Sequence, residues 1–139
     1  MTAKEFIKHF HVTTNENKAI LYKYVYKVDG EYFSYYDQNF KYRIGEVITE
    51  ECDTDVVLCC TKGIHIASKK WVLNVLTADI SYFKYPITIL EVEVDIDKIV
   101  VPLGTTGKVR TSEVKVLREL PIEELGLCGK AYQMHRLYL

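Results

Sequence analysis

Two segments of the chain carry apolar residues at the spacing of an amphipathic helix. Near the start, Thr2 and Glu5 form a capping-box pattern, which predicts a helix over residues 2–10. Further along, Ser68 is a typical N-cap residue and predicts a central helix that runs to about Leu76. The residues expected to face the core are Phe6, Ile7 and Phe10 in the first helix and Trp71, Val72, Val75 and Leu76 in the second.

Alternating or β-rich segments, separated by turn residues, predict a sheet. Residues 20–28 form the first strand, with tyrosines at alternate positions on one face. Asp29 and Gly30 follow and predict a hairpin turn, because both turn positions need a positive φ. Further strands are predicted at residues 42–49, 56–60, 64–67, 87–94, 98–101 and 109–117.

The order of these elements predicts the fold class. Strands outnumber helices and the helices do not alternate with them, which indicates an α+β fold rather than a doubly wound sheet. We expect a mixed or antiparallel sheet, with the short N-terminal helix and the central helix packed on it. A chain of 139 residues fits one domain. The sheet and central helix fall within residues 20–120, and the apolar residues of 126–139 predict a tail for packing or oligomerisation.

The composition limits the cellular compartment and the classes of partner that we expect for this protein. The net charge of -1 gives no electrostatic reason to bind duplex nucleic acid. No apolar segment is long enough to cross a membrane and the first residues do not resemble a signal peptide, so we expect a cytoplasmic protein. The cysteines lack metal-ligand spacing and predict reduced, partly buried thiols, with no metal and no cofactor. They are Cys52, Cys59, Cys60 and Cys128.

The junction between the strand at 64–67 and the central helix is the first candidate site. Gly63 permits an unusual backbone angle, and His65 leaves the strand on the face opposite to its neighbours. The amide groups at a helix start lack partners and favour an anionic ligand. The alternative is that Gly63 only makes a turn and that His65 is a structural residue.

The loop at residues 104–110 is the second candidate site. It combines two glycines and two threonines with Lys108 and Arg110, so its amides and cations could hold a phosphate. It does not have the spacing of a Walker loop. The alternative is an ordinary hairpin connection with glycine at the turn positions.

The spacing of three short motifs carries a resemblance that covers residues 21–120. They are Gly63-Ile64-His65, Val101-Pro102 and Lys108-Val109-Arg110. In order and spacing they resemble an uncharacterised family found in phages and prophages, and the C-terminal part of phage rapid-lysis B-type proteins. The resemblance implies a phage protein that acts in the cytoplasm of an infected bacterium, without implying an activity.

A second and more distant resemblance starts from residues 61–68, with the sequence TKGIHIAS. This segment is similar to one in ADP-ribosyltransferases of the poly-ADP-ribose polymerase type. The resemblance places Lys23 at their ribose-binding His, His65 at the Tyr that stacks on nicotinamide, and Glu113 at their catalytic Glu. Lys23 and His65 depart from that pattern, and Tyr24 replaces a Gly. What the resemblance implies is a site that keeps a cleft for an NAD-like molecule but has lost the chemistry.

Three hypotheses follow from these residues. The first is a homo-oligomeric binding protein that sequesters a nucleotide signal of a bacterial defence system. Its ligand-binding residues would be Lys23, His65, Tyr82, Phe83, Lys108 and Arg110. Lys108 and Arg110 would hold the phosphate, and Tyr82, Phe83 or a tyrosine of the first strand would stack on the base. The second is an NAD-dependent ADP-ribosyltransferase with Glu113 as its catalytic residue. The third is an inhibitor of a host protein that binds through the tyrosine-rich hairpin.

Overall fold

The structure is a computed structural model that describes residues 1–35, 37, 39–78 and 86–120. The α+β class is confirmed, with two α-helices and one large antiparallel sheet in this part of the chain. The helices are α1 (Ala3–His9) and α2 (Lys69–Ala78). The strands are β1 (Thr14–Asn15), β2 (Lys18–Val28), β3 (Glu31–Phe33), β4 (Lys41–Tyr42), β5 (Val47–Thr49), β6 (Ile64–Ala67), β7 (Ile87–Asp95), β8 (Lys108–Thr111) and β9 (Glu113–Leu120).

The long strands β2 and β7 form the centre of the sheet. They pair antiparallel over nine positions, from Lys18 opposite Asp95 to Tyr26 opposite Ile87. The main strand order is β4-β3-β2-β7-β9-β5, and β6 branches off to pair with both β2 and β8. Strands β6 and β8 therefore extend the same sheet from the edge of β2 that faces away from β7.

The local turn and cap predictions are confirmed. Asp29 and Gly30 have φ values of 53° and 76°, as a two-residue hairpin between β2 and β3 requires. At α1, the Thr2 hydroxyl accepts from the Glu5 amide at 3.1 Å and the Glu5 carboxylate accepts from the Thr2 amide at 3.0 Å. Ser68 caps α2 by accepting from the Trp71 amide at 3.3 Å.

Both faces of β2 are covered, and its side-chain alternation separates two hydrophobic clusters. Ala19, Leu21 and Val25 belong to the larger cluster, which also includes Phe6 of α1. The alternate positions, among them Tyr22, Tyr24 and Tyr26, join the smaller cluster around Val72 and Leu76 of α2. Lys23 lies between Leu21 and Val25 on the face of β2 that packs into the larger cluster. Its position in the strand is therefore one where an apolar residue is expected.

The predicted buried strand at residues 56–60 is wrong. This segment is a loop, with Val57 72% exposed and Cys59 and Cys60 both exposed rather than partly buried. Two backbone amides of this region donate to aspartate side chains instead of to a neighbouring strand. The Asp55 amide donates to the Asp53 carboxylate at 2.9 Å, and the Val57 amide donates to the Asp55 carboxylate at 3.0 Å. Such local bonds compete with strand pairing, and apolar composition alone did not reveal them.

Three other strand predictions are wrong in part. The segment 42–49 is divided by a turn into β4 and β5. In the segment 98–101, Lys98 ends a 3-10 turn (Ile96–Lys98), and Val100 forms a single bridge. The predicted strand 109–117 is broken at Ser112. On one side of that residue β8 pairs with β6, whereas on the other side β9 pairs with β5 and β7. The change of partner, which periodicity cannot show, causes the break.

Two further points limit what the fold says about partners. Among the described residues, no helix is long and apolar enough to cross a membrane. The predicted tail at 126–139 lies outside the described residues.

Gly107 gives a test of how the loop before β8 packs on α2. Gly107 has a φ of 132°, and a Cβ atom there would lie 2.7 Å from the Ser68 Oγ and 2.9 Å from the Trp71 Cβ. We expect Gly107→Ala to lower the free energy of unfolding by about 2–4 kcal/mol, because it adds overpacking to backbone strain. Denaturant unfolding monitored by circular dichroism measures this change.

The matched control for that variant is Gly104→Ala in the same loop. Gly104 also has a positive φ, 69°, but a Cβ atom there would meet no atom within 4 Å. We expect Gly104→Ala to lower the free energy of unfolding by only about 1 kcal/mol, because this variant adds backbone strain alone. Equal losses in the two variants would show that the contact with α2 is unimportant.

Candidate functional site

Pairing between β6 and β8 brings the two candidate motifs together. Their antiparallel register sets His65 opposite Arg110 and Ala67 opposite Lys108. Cross-strand neighbours in such a pair project to the same side of the sheet. The strand before α2 and the loop at 104–110, which are far apart in sequence, therefore form one surface.

Lys23 of β2 reaches the same surface. Strand β2 contacts β6 at Tyr22, opposite Ala67, and pairs with β3 only from Tyr26 onward, so an opening lies between β3 and β6. The Lys23 Nζ extends into this opening and donates a hydrogen bond of 2.8 Å to the His65 carbonyl oxygen. The three predicted residues Lys23, His65 and Lys108 line a common cleft.

This cleft has a volume of about 410 Å³ and mixed polar and aromatic walls. Besides the two lysines and His65, the polar residues lining it are Ser34, Asp37, Tyr42 and Glu50. His65 and Lys108 also line two smaller adjoining pockets, one against Trp71 and Tyr24 and one against the loop 102–106. The pocket against Trp71 and Tyr24 has a volume of about 20 Å³ and the one against the loop 102–106 about 190 Å³. Because His65 and Lys108 line the cleft and both pockets, we call the three together the groove over His65 and Lys108.

The electrostatics of the cleft centre on Lys23. Burial, with help from the charge of Lys108, lowers the pKa of Lys23 from its ordinary value of 10.5 to about 8, and Glu50 opposes this shift. A side chain with this pKa is mostly protonated at neutral pH. The cleft therefore offers an anion a cation that is poorly solvated by water.

His65 is held in a defined state. Its Nε2 lies 2.7 Å from the Thr61 carbonyl oxygen, and because a carbonyl can only accept, we assign the proton to Nε2. Burial lowers the pKa of His65, and the positive charges of Lys108 and Lys23 act in the same direction. The neutral ring then presents Nδ1 as an acceptor.

Sequence reasoning missed Tyr42 and Glu50. Burial and then the negative charge of Glu50 raise the pKa of Tyr42, so its hydroxyl keeps its proton, and it shares a hydrogen bond with the Ser34 side chain. The Lys23 Nζ lies 5.9 Å from the Tyr42 ring centroid. No local motif marks either residue, since they enter the cleft from β4 and from the end of β5.

An aromatic wall continues the groove on the α2 side. The rings of Tyr24 and Trp71 are nearly parallel, at 11°, with centroids 6.0 Å apart. Tyr35 meets Tyr24 edge-on at 5.4 Å. These three rings line the small pocket together with Lys23, His65 and Lys108. Cationic and aromatic groups thus stand side by side.

Arg110 has a structural role. Its side chain is 0% exposed and it is not among the residues lining the cleft. Its guanidinium donates three hydrogen bonds to carbonyl oxygens of the loop 53–58: 2.7 Å to Asp53, 2.5 Å to Asp55 and 2.7 Å to Leu58. Arg110 is the cross-strand neighbour of His65, but its contacts hold the loop. Of the two residues predicted to hold a phosphate, Lys108 lines the cleft and Arg110 does not.

Glu113 also lies outside the cleft. Its carboxylate forms an ion pair of 3.1 Å with Lys98, and it faces outward with its cross-strand neighbour Thr49. The carboxylates in the cleft are those of Glu50 and Asp37. Tyr82 and Phe83, the predicted stacking residues, lie outside the described residues.

The loop cysteines stand at the rim of the groove. Cys60 lines the main cleft, and the Sγ atoms of Cys59 and Cys60 are 3.5 Å apart. In the part of the chain that the structure describes, no group of three or more His, Cys, Asp or Glu side chains could hold a metal ion.

Comparisons with known proteins find no match for this chain. No protein-family model, no curated protein and no solved structure matches the chain. The assignment of a function therefore rests on the site itself.

The role of Arg110 can be tested by Arg110→Lys. An ammonium group cannot reach three carbonyls with fixed geometry, so we expect the free energy of unfolding to fall by about 2–4 kcal/mol. Hydrogen exchange at the amides of 53–60 should accelerate more than exchange in β2 and β7. Arg43→Lys, at an exposed turn residue, is the control and should change neither quantity. Unchanged exchange in the loop of Arg110→Lys would contradict the clamping role.

The partly buried charge of Lys23 should destabilise the fold, and Lys23→Met should relieve this destabilisation. The pKa difference between 10.5 and about 8 corresponds to a destabilisation of roughly 3 kcal/mol, which Lys23→Met removes. The substitution also removes the hydrogen bond to the His65 carbonyl, which stabilises the fold by about 1 kcal/mol. We therefore expect Lys23→Met to raise the free energy of unfolding at neutral pH by about 1–2 kcal/mol.

The pH dependence of this effect has a fixed sign. Between pH 8 and 10.5 the unfolded chain keeps the Lys23 proton while the folded chain loses it, so the wild-type protein gains stability as the pH rises. The advantage of Lys23→Met should shrink over that interval. Urea unfolding at several pH values measures it, with the exposed Lys115→Met as control. An advantage independent of pH would argue that Lys23 is not a buried cation.

Proposed function

We propose that this protein binds a nucleotide-type ligand in the groove over His65 and Lys108. The observation that carries the proposal is that Lys108 and His65 line both the cleft of about 410 Å³, which Lys23 also lines, and the pocket of about 190 Å³ that contains Trp71. Cationic and aromatic groups therefore lie within reach of one small molecule. A nucleotide joins an anionic phosphate to a flat aromatic base, and it needs both kinds of contact within a few ångströms.

The phosphate would lie between Lys23 and Lys108. Both side chains line the main cleft, and both line the aromatic pocket as well. Bonds from an ammonium group to phosphate oxygens are charge-assisted and are strengthened where water is partly excluded. An anion at this position also offsets the repulsion between the two lysines, which is one of the causes of the low pKa of Lys23.

The base would pack against the ring of Trp71 in the pocket of about 190 Å³ that Trp71 lines with the loop 102–106. The pocket that Trp71 lines with Tyr24 and Tyr35, about 20 Å³, is too small to hold a base. Stacking of a base on an aromatic side chain contributes about 1–3 kcal/mol and tolerates different bases. The carboxylates of Glu50 and Asp37 lie in the wider part of the cleft, where they can accept hydrogen bonds from sugar hydroxyls. They also disfavour a ligand that carries negative charge along its whole length.

Binding without consumption is the form of this proposal that the site supports best. The carboxylate that the enzyme hypothesis requires, Glu113, is paired with Lys98 and is not among the residues lining the cleft. The resemblance to phage proteins supplies the biological context. A small phage protein that retains a nucleotide would remove a signal on which a bacterial defence system depends.

Trp71 makes the proposal directly measurable. It is the one tryptophan of the chain, so its fluorescence reports a ligand that packs against this ring. ADP-ribose, NAD, AMP and cyclic nucleotides should change that fluorescence, whereas ribose 5-phosphate or adenosine alone should bind more weakly. Lys23→Met and Lys108→Met should each weaken nucleotide binding about ten-fold or more. Affinity should also fall as the pH rises above about 8, where Lys23 loses its proton.

Lys115→Met is the matched control, since Lys115 is an exposed lysine of β9 and is not among the cleft-lining residues. If it weakens binding as much as Lys23→Met, the ligand binds elsewhere. No fluorescence change and no heat of binding with any nucleotide would refute the proposal. Native mass spectrometry after incubation with NAD distinguishes retention from catalysis, because release of nicotinamide would identify an enzyme.

A further inference from the structure

Lys23 has the surroundings of a nucleophilic amine as well as those of a cation. Its carbon chain starts from a core row between the fully buried Leu21 and Val25, and its Nζ ends in the cleft. The hydrogen bond to the His65 carbonyl uses one N–H and fixes the direction of the amine. When the amine is neutral, its lone pair is directed away from that bond. The arrangement presents a positioned nucleophile to anything bound in the cleft.

We propose that the Lys23 Nζ forms an imine with the carbonyl carbon of a phosphorylated aldehyde or ketone bound in this cleft. The second lysine, Lys108, would hold the phosphate, and the cleft volume of about 410 Å³ accommodates a sugar phosphate. Phosphorylated sugars with a free anomeric carbon expose such a carbonyl in their open-chain form. This goes beyond nucleotide binding, since it requires a covalent step and does not require a base.

The step balances without any further reagent. The Nζ lone pair attacks the carbonyl carbon and gives a carbinolamine, in which nitrogen has transferred a proton to oxygen. The carbon–oxygen bond then breaks, and the oxygen leaves as water with the remaining nitrogen proton and the one already transferred. The Tyr42 hydroxyl, which lines the same cleft and keeps its proton, is placed to donate a hydrogen bond to the departing oxygen.

The neighbouring groups favour this chemistry in neutral solution. Burial and Lys108 lower the pKa of Lys23 to about 8, which leaves roughly 200-fold more neutral amine at about pH 7.5 than a pKa of 10.5 would. Glu50 acts in the opposite direction, and the neutral His65 adds no charge. A lysine made reactive by burial and an adjacent cation is a recognised route to imine formation.

Pyridoxal 5′-phosphate is a suitable probe, because it carries an aldehyde and a phosphate on one small ring. The protein is incubated with the probe and cyanoborohydride, which reduces the imine to a stable secondary amine, and the modified lysines are identified by peptide mapping. We expect Lys23 to be labelled at least about ten-fold faster than the exposed Lys115. Labelling should rise with pH through about 8. Pyridoxal without the phosphate should label Lys23 more slowly.

Matched variants separate this chemistry from a charge effect. Lys23→Arg keeps the positive charge but removes the nucleophile, so the labelling of this site should be lost. Lys115→Arg, at an exposed lysine that does not line the cleft, should leave the rate and the pH profile of Lys23 labelling unchanged. Lys108→Met removes the neighbouring cation, so the labelling profile of Lys23 should move to higher pH.

Two results would overturn the proposal: labelling spread evenly over surface lysines, or preferential labelling of Lys108. Its failure is distinguishable from a failure of nucleotide binding. Selective labelling of Lys23 in a protein that binds no nucleotide would leave the imine proposal standing alone. Tight nucleotide binding with uniform labelling would leave nucleotide binding standing and remove the imine.

Discussion

The buried guanidinium of Arg110 is the contact on which the cleft depends. It joins β8 to three carbonyl oxygens of the loop 53–58, a segment that has no strand partners of its own. The same loop continues through Cys60 and Gly63 into β6, and both residues line the cleft. A guanidinium satisfies several carbonyls at once with fixed geometry, which a single ammonium group cannot do. Arg110 therefore holds the loop at the rim of the cleft, whereas Lys23 and Lys108 line the cleft itself.

The cleft is maintained at the expense of stability. Lys23 takes a position that its strand pattern assigns to the core, and its low pKa measures how poorly the protonated amine is solvated there. Buried charges in proteins are usually paired with an opposite charge. Lys23 instead donates to the His65 carbonyl, and the two charges that influence its pKa act against each other: Lys108 lowers it and Glu50 raises it. A titratable group with a shifted pKa in a cleft is a candidate functional residue.

The same sheet explains why this cleft is open at all. Strand β2 is fully paired along β7, but on its other side it passes from β6 to β3. At that transition, side chains from β2, β4, β6 and β8 line the cleft. A sheet that continued without a break would have filled this space with backbone hydrogen bonds.

Local chemistry within the sequence was sufficient for several features. The capping box at Thr2, the Asp29-Gly30 turn, the tyrosine face of β2 and the α+β class all follow from contacts among near neighbours, and the structure has each of them. Tertiary structure alone decided the rest. The break at Ser112, the exposed loop at 56–60 and the separate fates of Lys108 and Arg110 depend on which segments pair at long range. Glu50 and Tyr42 join the cleft for the same reason: the partner across a gap is set by the packing of the whole chain, which no short pattern contains.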